Sequence, residues 1–553
     1  MSVDAGDFVR GAVGRGRASN AVGAHAHLRK SIYPHAVSEV LLGLAKYRVR
    51  TWDAALRDLQ AVQMKELRRT IAAGTRSEFG RAHDFSGIRT HADFAARIPL
   101  ADYDAYSPAF ERIRKGESRV LTNARIEYIG NSAGSSNQGK PKFLPISEEQ
   151  ISLQRHAAAD GVMRLIAARN DNSFLEGFMV GIFPPALMRK EGPVHITNNP
   201  ALMMRKMPSI SWPVYLPDPK TMLIENLDEK MRATAESCLD RDVRAVNGTT
   251  CWFSLFFDHA IAAAQARGRT VSTIAEIWPN LRTLVGGGVA AEPYAPVIRD
   301  RMGTSDFALL DTYNASEGGV FAATDGVGRG MLMIPDRGVF FEFVPLEELD
   351  TPNPTRLPLW EVETGKNYAI HVTTVSGLYG YRLGDIVQFS STWPHRIEFA
   401  GRLSGCLSTT QELTTHLEVQ NAMQAVSDKL GTRTVDYAVG AEYGVAGSSK
   451  ARYMIFAEFE GERPDLVAVA AEFDRALCAQ NRVYREHRDV DTAILAPLAL
   501  ALTTGASQKF MKLAGMTSVQ NKFPRIVDNA KRDILLSLTE KVKTEKAKPK
   551  SKK

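Results

Sequence analysis

RIEYIGNSAGSSNQGKPKFLPIS, residues Arg125–Ser147, runs from a strand-like apolar segment into a loop of serine, glycine, asparagine and lysine. Gly134–Lys140 satisfies the GxxxxGK spacing of a Walker A phosphate loop. That motif also needs a Ser or Thr at its next position to hold Mg²⁺, and a helix whose N-terminal amides cradle phosphate. Pro141 offers neither a hydroxyl nor an N–H, and KFLPIS, with Pro145, will not sustain a helix. The loop therefore reads as a Ser/Gly lid for the β and γ phosphates of a nucleotide, with Lys140 and Lys142 nearby; small hydroxyls and bare amides donate to anionic oxygens without bulk. The plain alternative is a surface turn, which uses the same residues.

Outward from this loop the chain alternates short apolar runs with helical stretches. Leu284 and Val285 lead into Gly286-Gly287-Gly288, Phe307–Leu310 runs into Asp311, and Val339–Val344 and Tyr368–Thr373 read as strands. Strand ends that open into glycine or polar loops are where open α/β sheets place ligands. Upstream, Leu56, Leu59, Val62, Leu67 and Ile71 mark one helical face that Gly74 stops, and Thr90 with Asp93 forms a capping box. Past Gly401 a helix from about Glu412, strands near Tyr437–Ala441 and Arg452–Phe459, a helix over Pro464–Ala479 and a last strand at Ile494–Leu502 make a compact α+β unit, read as a mobile lid. The expected organisation is an α/β protein with an N-terminal arm and helix (1–50), a large domain (51–400), a small mobile domain (401–540) and a disordered Lys-rich tail (541–553).

A chain of 553 residues is too long for one ordinary core. Its formal charge of +7 invites a nucleic-acid or acidic-membrane partner, but Lys541–Lys553 holds seven Lys against one Glu, leaving the body only +1. No nucleic-acid groove follows from that. Cys238, Cys251, Cys406 and Cys478 form no CxxC pair, which fits a reducing compartment. His25 and His27 form an HxH without a nearby third ligand, so an arm is preferred to a metal site. The first residues lack an apolar signal core and Pro497 breaks the longest apolar run, so a cytoplasmic protein without a membrane partner is expected.

Two further segments carry chemistry. In DTYNASEGGVFAAT (Asp311–Thr324), Tyr313 stands four residues before Glu317, with Ser316 between them; one loop could offer a ring to a base and a carboxylate to Mg²⁺. SGLYGYRLGD (Ser376–Asp385) ends in a turn whose acid can take both hydroxyls of a ribose. RIEFAGR (Arg396–Arg402) follows at the domain boundary. In this order the four segments resemble the adenylate-forming enzymes. The chain is most similar to their Gretchen Hagen 3 (auxin-responsive promoter) family of acyl acid amido synthetases. Supporting stretches are FGRAHDFSGI (Phe79–Ile88), IPLADYDAYSPAFERIRKGESRVLT (Ile98–Thr122), WPNLRTLVGGGVAAEPY (Trp278–Tyr294) and VQNKFPRI (Val519–Ile526).

The resemblance implies roles residue by residue. Ser132, Gly134, Ser135, Ser136 and Asn137 match the family's ATP loop. Gly287, Gly288 and Val289 match its adenine-proximal strand end. Tyr313 would stack on the base, Ser316 would contact the α-phosphate region, and Glu317 would bind Mg²⁺. Asp385 matches the ribose-binding acid, Arg402 the hinge, and Lys522 the small-domain lysine that reaches the reacting phosphate. The sequence departs from the pattern at Ala133, in a loop one residue longer, at Gly380, and at Thr410–Leu413 after the hinge. The implied activity adenylates a small carboxylic acid with ATP and Mg²⁺, rotates the small domain about Arg402, and passes the acyl group to an amine such as an amino acid. A thiol acceptor such as coenzyme A, or a degenerate member that binds without turnover, are the alternatives. The acid, the amine and the oligomeric state are left open, a monomer being compatible. Trp252 reads as core rather than acyl pocket, and in isolation Lys522 reads as a surface lysine, Glu317 as a helix cap and Asp385 as a turn residue.

Overall fold

A computed structural model describes residues 28–540 except 133–141, 208, 210, 289–290, 292–293, 327–329, 350, 408, 410–411, 413, 444, 446–450, 482–483, 486–487, 489–493 and 517–521. His25, His27, the phosphate-loop residues Gly134–Asn137, Val289 and the Lys-rich tail thus lie outside the described residues. The chain divides into two units, Met1–Phe399 and Ala400–Lys553.

In the larger unit, β1 (Ile126–Ser132) and β2 (Lys142–Ser147) pair antiparallel, from Ile126 opposite Ser147 to Ser132 opposite Lys142. Residues 133–141 therefore connect two strands of one ladder. KFLPIS is a strand where a Walker A motif would need a helix, as Pro145 dictates. With β4 (Met188–Glu191) and β5 (Val194–Thr197) they complete a four-stranded sheet.

A twelve-stranded sheet carries the rest. Its parallel part contains β3 (Phe178–Ile182), β6 (Tyr215–Leu216), β7 (Val243–Thr249), β8 (Thr283–Gly287) and β9 (Ala308–Ala315). Its antiparallel part adds β10 (Gly319–Ala323), β11 (Met331–Met333), β12 (Val339–Pro345), β13 (Leu357–Pro358), β14 (Asn367–Thr374), β15 (Leu378–Thr392) and β16 (His395–Arg402). Nearly continuous apolar runs, as in VFFEFVP of β12, mark strands covered on both faces. The helix Phe253–Ala266 packs Phe253, Phe256, Phe257 and Ala260 with Trp278 and Trp252, so Trp252 is core as expected. The Thr90–Asp93 capping box forms. The face read from Leu56 to Ile71 splits into a short 3₁₀ turn, Leu56–Asp58, and the helix Leu59–Gly74.

In the smaller unit, β17 (Arg433–Tyr443) and β18 (Ala451–Glu460) are antiparallel, and β19 (Ile494–Ala501) joins β18 in parallel. Period-two alternation sends Tyr437, Val439, Tyr453 and Ile455 to one face, under helices His416–Leu430 and Leu466–Gln480. Ala438, Met454 and Phe456 go to the other, under Ala506–Leu513 and Asn529–Ser537. The first helix begins at His416 and not near Glu412, because Thr415 caps it in a box with Glu418. Glu412 instead turns its carboxylate inward, accepting from Thr409 N–H at 2.7 Å and from the Tyr453 hydroxyl at 2.7 Å.

Burial raises the Glu418 carboxyl to about 7 against the hydrogen bonds of its capping box. A carboxyl with its folded pKa above the unfolded value contributes stability at low pH that is lost as pH rises from about 4.5 through 7. Glu418→Gln, which keeps a capping amide, is expected to flatten that loss, gaining at most about 3 kcal/mol at pH 8 and little at pH 4. Urea midpoints at the two pH values check this, and an equal shift at both would contradict it.

Candidate active site

The parallel strands of the large unit end together. Gly248 of β7 lies opposite Gly286 of β8, and Gly287 lies opposite Thr312 of β9. The glycines are needed there: a Cβ on Gly286 would stand 2.0 Å from Thr250 Oγ1, and one on Gly287 would stand 2.7 Å from Thr312 Oγ1. Gly288 follows at φ +77, a left-handed conformation that glycine adopts without strain. Thr312 Oγ1 donates to Gly286 O at 2.9 Å, and Asp311 Oδ2 accepts from Ala291 N–H at 3.0 Å, fastening the segment after β8 to β9.

Tyr313 lies within strand β9, not on a loop as expected, whereas Ser316 and Glu317, with Gly318, form the turn to β10. Its ring packs against Phe321 and Phe399. Its hydroxyl donates to Asp385 Oδ2 at 2.9 Å across 72 residues of sequence, and both residues are buried. Asp385 is likewise in a strand rather than a turn. β15 runs from Leu378 through LYGYRLGD because the ladder to β14 absorbs the extra length: between the pairs Ala369–Ile386 and His371–Arg382, Leu383, Gly384 and Asp385 stand opposite Ile370 alone. Gly384, at φ +87, makes that bulge possible, and a bulge re-aims the side chain beside it. Gly380, where the family pattern has Arg, has φ +55 and donates its N–H to Thr373 Oγ1 at 2.8 Å.

The Glu317 turn is braced by Gln150, whose Nε2 donates to Gly318 O at 3.0 Å from the first turn of the helix Glu148–Arg169. That helix is capped by Ser147, the last residue of β2, and Ser147 N–H donates to Ser376 Oγ at 3.0 Å. One chain of contacts thus links the strand after the phosphate loop to the Glu317 turn and to the segment bearing Asp385.

Two further groups stand out: Lys142, which the sequence reading placed near the phosphate loop without a role of its own, and Tyr381, which it missed. Lys142, directly after the loop, is buried, with its ammonium 5.6 Å from the centre of the Tyr103 ring. Tyr381 is buried with its hydroxyl lacking a hydrogen-bond partner among the described residues; its phenol is held far above the usual range by burial first and by the Glu317 charge second. The signal for Lys142 was its place after GKP, and for Tyr381 its place in GLYGYR, but burial is invisible in a sequence.

Ser132 closes β1 opposite Lys142, and only its backbone is described. Arg402 and Lys522 belong to the smaller unit. Arg402 ends β16, and beside it His416 is held neutral, down to about 4, by burial and then by Arg525 and Arg402. Lys522 lies outside any helix or strand, between the helices Ala506–Leu513 and Asn529–Ser537 in the chain. Among the described residues no helix is long and apolar enough to cross a membrane, and no group of three or more His, Cys, Asp or Glu side chains could hold a metal ion.

The mixed sheet with glycine-lined parallel strand ends, followed by a small α+β unit, is the fold expected of an adenylate-forming enzyme. Solved structures agree on the fold: the GH3.15 acyl acid amido synthetase in complex with 2,4-DB superposes with a TM-score of 0.70 at 17% identity, covering 92% of this chain and 97% of that one. A 2-hydroxyisobutyryl-CoA ligase in its postadenylation state gives 0.51 at 12% identity, covering 88% and 92%. The chain belongs to the GH3 family: it matches the family's N-terminal domain over residues 48–269, its central domain over 332–402 and its C-terminal domain over 417–531. Similar curated proteins include a jasmonoyl–L-amino acid synthetase of Oryza sativa subsp. japonica, 29% identical over 89% of this chain and 97% of its own length. An indole-3-acetic acid-amido synthetase of Arabidopsis thaliana is 24% identical over 87% and 91%. The expected fold and family are borne out.

Proposed function

We propose that this ligase activates a small carboxylic acid as its adenylate and transfers the acyl group to the amine of an amino acid. The observation that carries the reading is the buried Tyr313–Asp385 pair, with Tyr313 following Thr312, the residue of β9 that pairs with Gly287 at the glycine-lined end of β8. An aromatic ring and a ribose-binding carboxylate are fixed to each other before nucleotide arrives, so little ordering is left to binding. The carboxylate of the acid attacks the α-phosphorus of ATP and pyrophosphate leaves. The amine then attacks the acyl carbon, loses a proton, and AMP leaves.

In this reading Tyr313 faces the base, Asp385 the ribose, and Gly287, Gly288 and Val289 the adenine edge. Ser132, Gly134, Ser135, Ser136 and Asn137 donate to the phosphates, Ser316 contacts the α-phosphate region, Arg402 serves as the hinge, and Lys522 supplies an ammonium as charge builds on the phosphoryl oxygens. Glu317 fits Mg²⁺, an ion that takes one or two carboxylates together with phosphate oxygens and water; the ion would neutralise the departing pyrophosphate. A single carboxylate on a braced turn is such a donor set.

The test is ATP–pyrophosphate exchange with indole-3-acetate, jasmonate, 2,4-DB and a panel of aromatic and aliphatic acids, followed by mass spectrometry of products formed with mixed amino acids or coenzyme A. Amides confirm the reading. Thioesters in their place assign a thiol acceptor, and nucleotide binding without exchange for any acid marks a non-catalytic member.

Asp385→Asn and Tyr313→Phe probe the pair. A hydrogen bond to a charged acceptor contributes about 1.5–3 kcal/mol, so each variant is expected to raise the KM for ATP about tenfold. The double variant should cost less than the two effects combined. Additive effects would show that the hydroxyl and the carboxylate act independently.

A further inference from the structure

Lys522 has no helix or strand of its own to hold it, yet three residues later the chain is fastened tightly to β17. Val439 N–H donates to Arg525 O at 2.8 Å and Val527 N–H donates to Val439 O at 2.9 Å, so Arg525–Val527 lies along the strand. The Arg525 side chain makes a second attachment. Its Nη1 donates to Asp436 Oδ1 at 2.8 Å and to Tyr437 O at 3.1 Å, and its guanidinium lies 4.1 Å from the centre of the Tyr437 ring. Phe523, adjacent to Lys522, sets its ring against Phe510 at 5.2 Å.

The strand is deformed where it receives this arginine. Thr434 pairs with Phe459 but Asp436 pairs with Glu458, so Val435 is an extra residue and β17 bulges there. Val435 is left exposed, while the next two residues, Asp436 and Tyr437, supply the carboxylate and the ring that grip Arg525. A bulge interrupts the ladder and serves to re-aim side chains. A surface ion pair that merely added stability would not require one. Arginine suits the task because its planar fork can meet a carboxylate and a carbonyl in its plane and an aromatic ring on its face together.

We propose that Arg525, gripped by Asp436 and Tyr437 on the β17 bulge, is a positioning residue that sets where the Lys522 ammonium acts during adenylation. The inference rests on the role given to Lys522 above. It assigns the grip to the first half-reaction alone, because the ammonium is needed while pyrophosphate departs and not while the amine attacks.

The experiment compares Arg525→Lys, Arg525→Gln and Asp436→Asn with Lys522→Ala. The readouts are ATP–pyrophosphate exchange with whichever panel acid the parent protein exchanges fastest, transfer from a supplied acyl-adenylate of that acid, and the rate at which acetic anhydride labels Lys522, followed by mass spectrometry. The expected result is a tenfold or greater fall in exchange kcat with KM for ATP within twofold, transfer within twofold, and Lys522 labelling changed at least threefold while Lys429 is unchanged. Geometric displacement of a reacting group by about 1 Å costs on the order of a hundredfold, so a tenfold loss is a partial release. Parent-like labelling and exchange in folded Arg525 and Asp436 variants would overturn the proposal, as would parallel loss of both half-reactions with the thermal midpoint. Exchange that survives Lys522→Ala would remove the role of Lys522 itself. Loss there with normal exchange in the Arg525 and Asp436 variants would overturn the grip alone. If Asp436→Asn fails to fold, Arg525→Lys decides the matter, since it keeps the charge opposite Asp436 and loses only the planar contacts.

Discussion

Lys522→Ala is expected to lower ATP–pyrophosphate exchange a hundredfold or more while leaving the protein folded and transfer from a supplied acyl-adenylate nearly unchanged. The size follows from what is removed: a preorganised charge aimed at oxygens that gain negative charge only as the reaction proceeds is worth about a hundredfold to a thousandfold in rate. The fold should tolerate the change because Lys522 is half-buried and belongs to neither core cluster of the small unit. Circular dichroism and the thermal midpoint check the fold, and exchange checks the chemistry. Exchange within a few fold of the parent would show that the ammonium does not meet the reacting phosphate.

Arg356→Leu is expected to cost the larger unit about 3–5 kcal/mol, the largest stability loss anticipated for a single substitution. Glu342, in the middle of β12, is almost wholly buried at 1% exposure and receives Arg356 through both oxygens, at 2.9 and 2.7 Å. The same guanidinium donates to the carbonyls of Ala95 and Ile98 and lies over the Phe94 ring, joining the capped helix His91–Arg97 to the sheet. Leucine leaves Glu342 with His91 as its remaining ionisable partner at 2.9 Å and deprives two carbonyls of a donor. Adding Glu342→Gln to Arg356→Leu should recover part of the loss, because the stranded charge is then gone. Urea unfolding followed in the transition of the larger unit measures both, and a loss below about 1 kcal/mol would refute the account.

Local chemistry made much of the fold legible. Pro141 and Pro145 forbade the helix of a Walker motif, and the segment is a strand; Thr90 and Asp93 announced a helix start, and the capping box is there. The strand at Val339–Val344 and the helix over Pro464–Ala479 were found to within a few residues, as β12 and Leu466–Gln480. The misplacements share a cause. Asp385 and the residues before it were read as a turn because glycines mark turns, but Gly380 and Gly384 serve a long strand that takes up extra residues in a bulge. The start near Glu412 failed because its carboxylate is claimed by Tyr453, a partner 41 residues away.

The sequence by itself determined the family, the alternation of strands and helices, and which residues carry chemistry. These are written in short-range features: proline and glycine placement, capping spacings and period-two burial. Only the tertiary structure decided that Tyr313 donates to Asp385, that Lys142 is buried beside the Tyr103 ring, that Tyr381 is buried within the field of Glu317, and that a bulge in β17 grips Arg525 close to Lys522. Each joins residues whose separation along the chain exceeds any local pattern, 72 positions for the first and 89 for the last. Such pairs form because buried polar groups must find partners wherever the fold brings them, a demand that no run of neighbouring residues records.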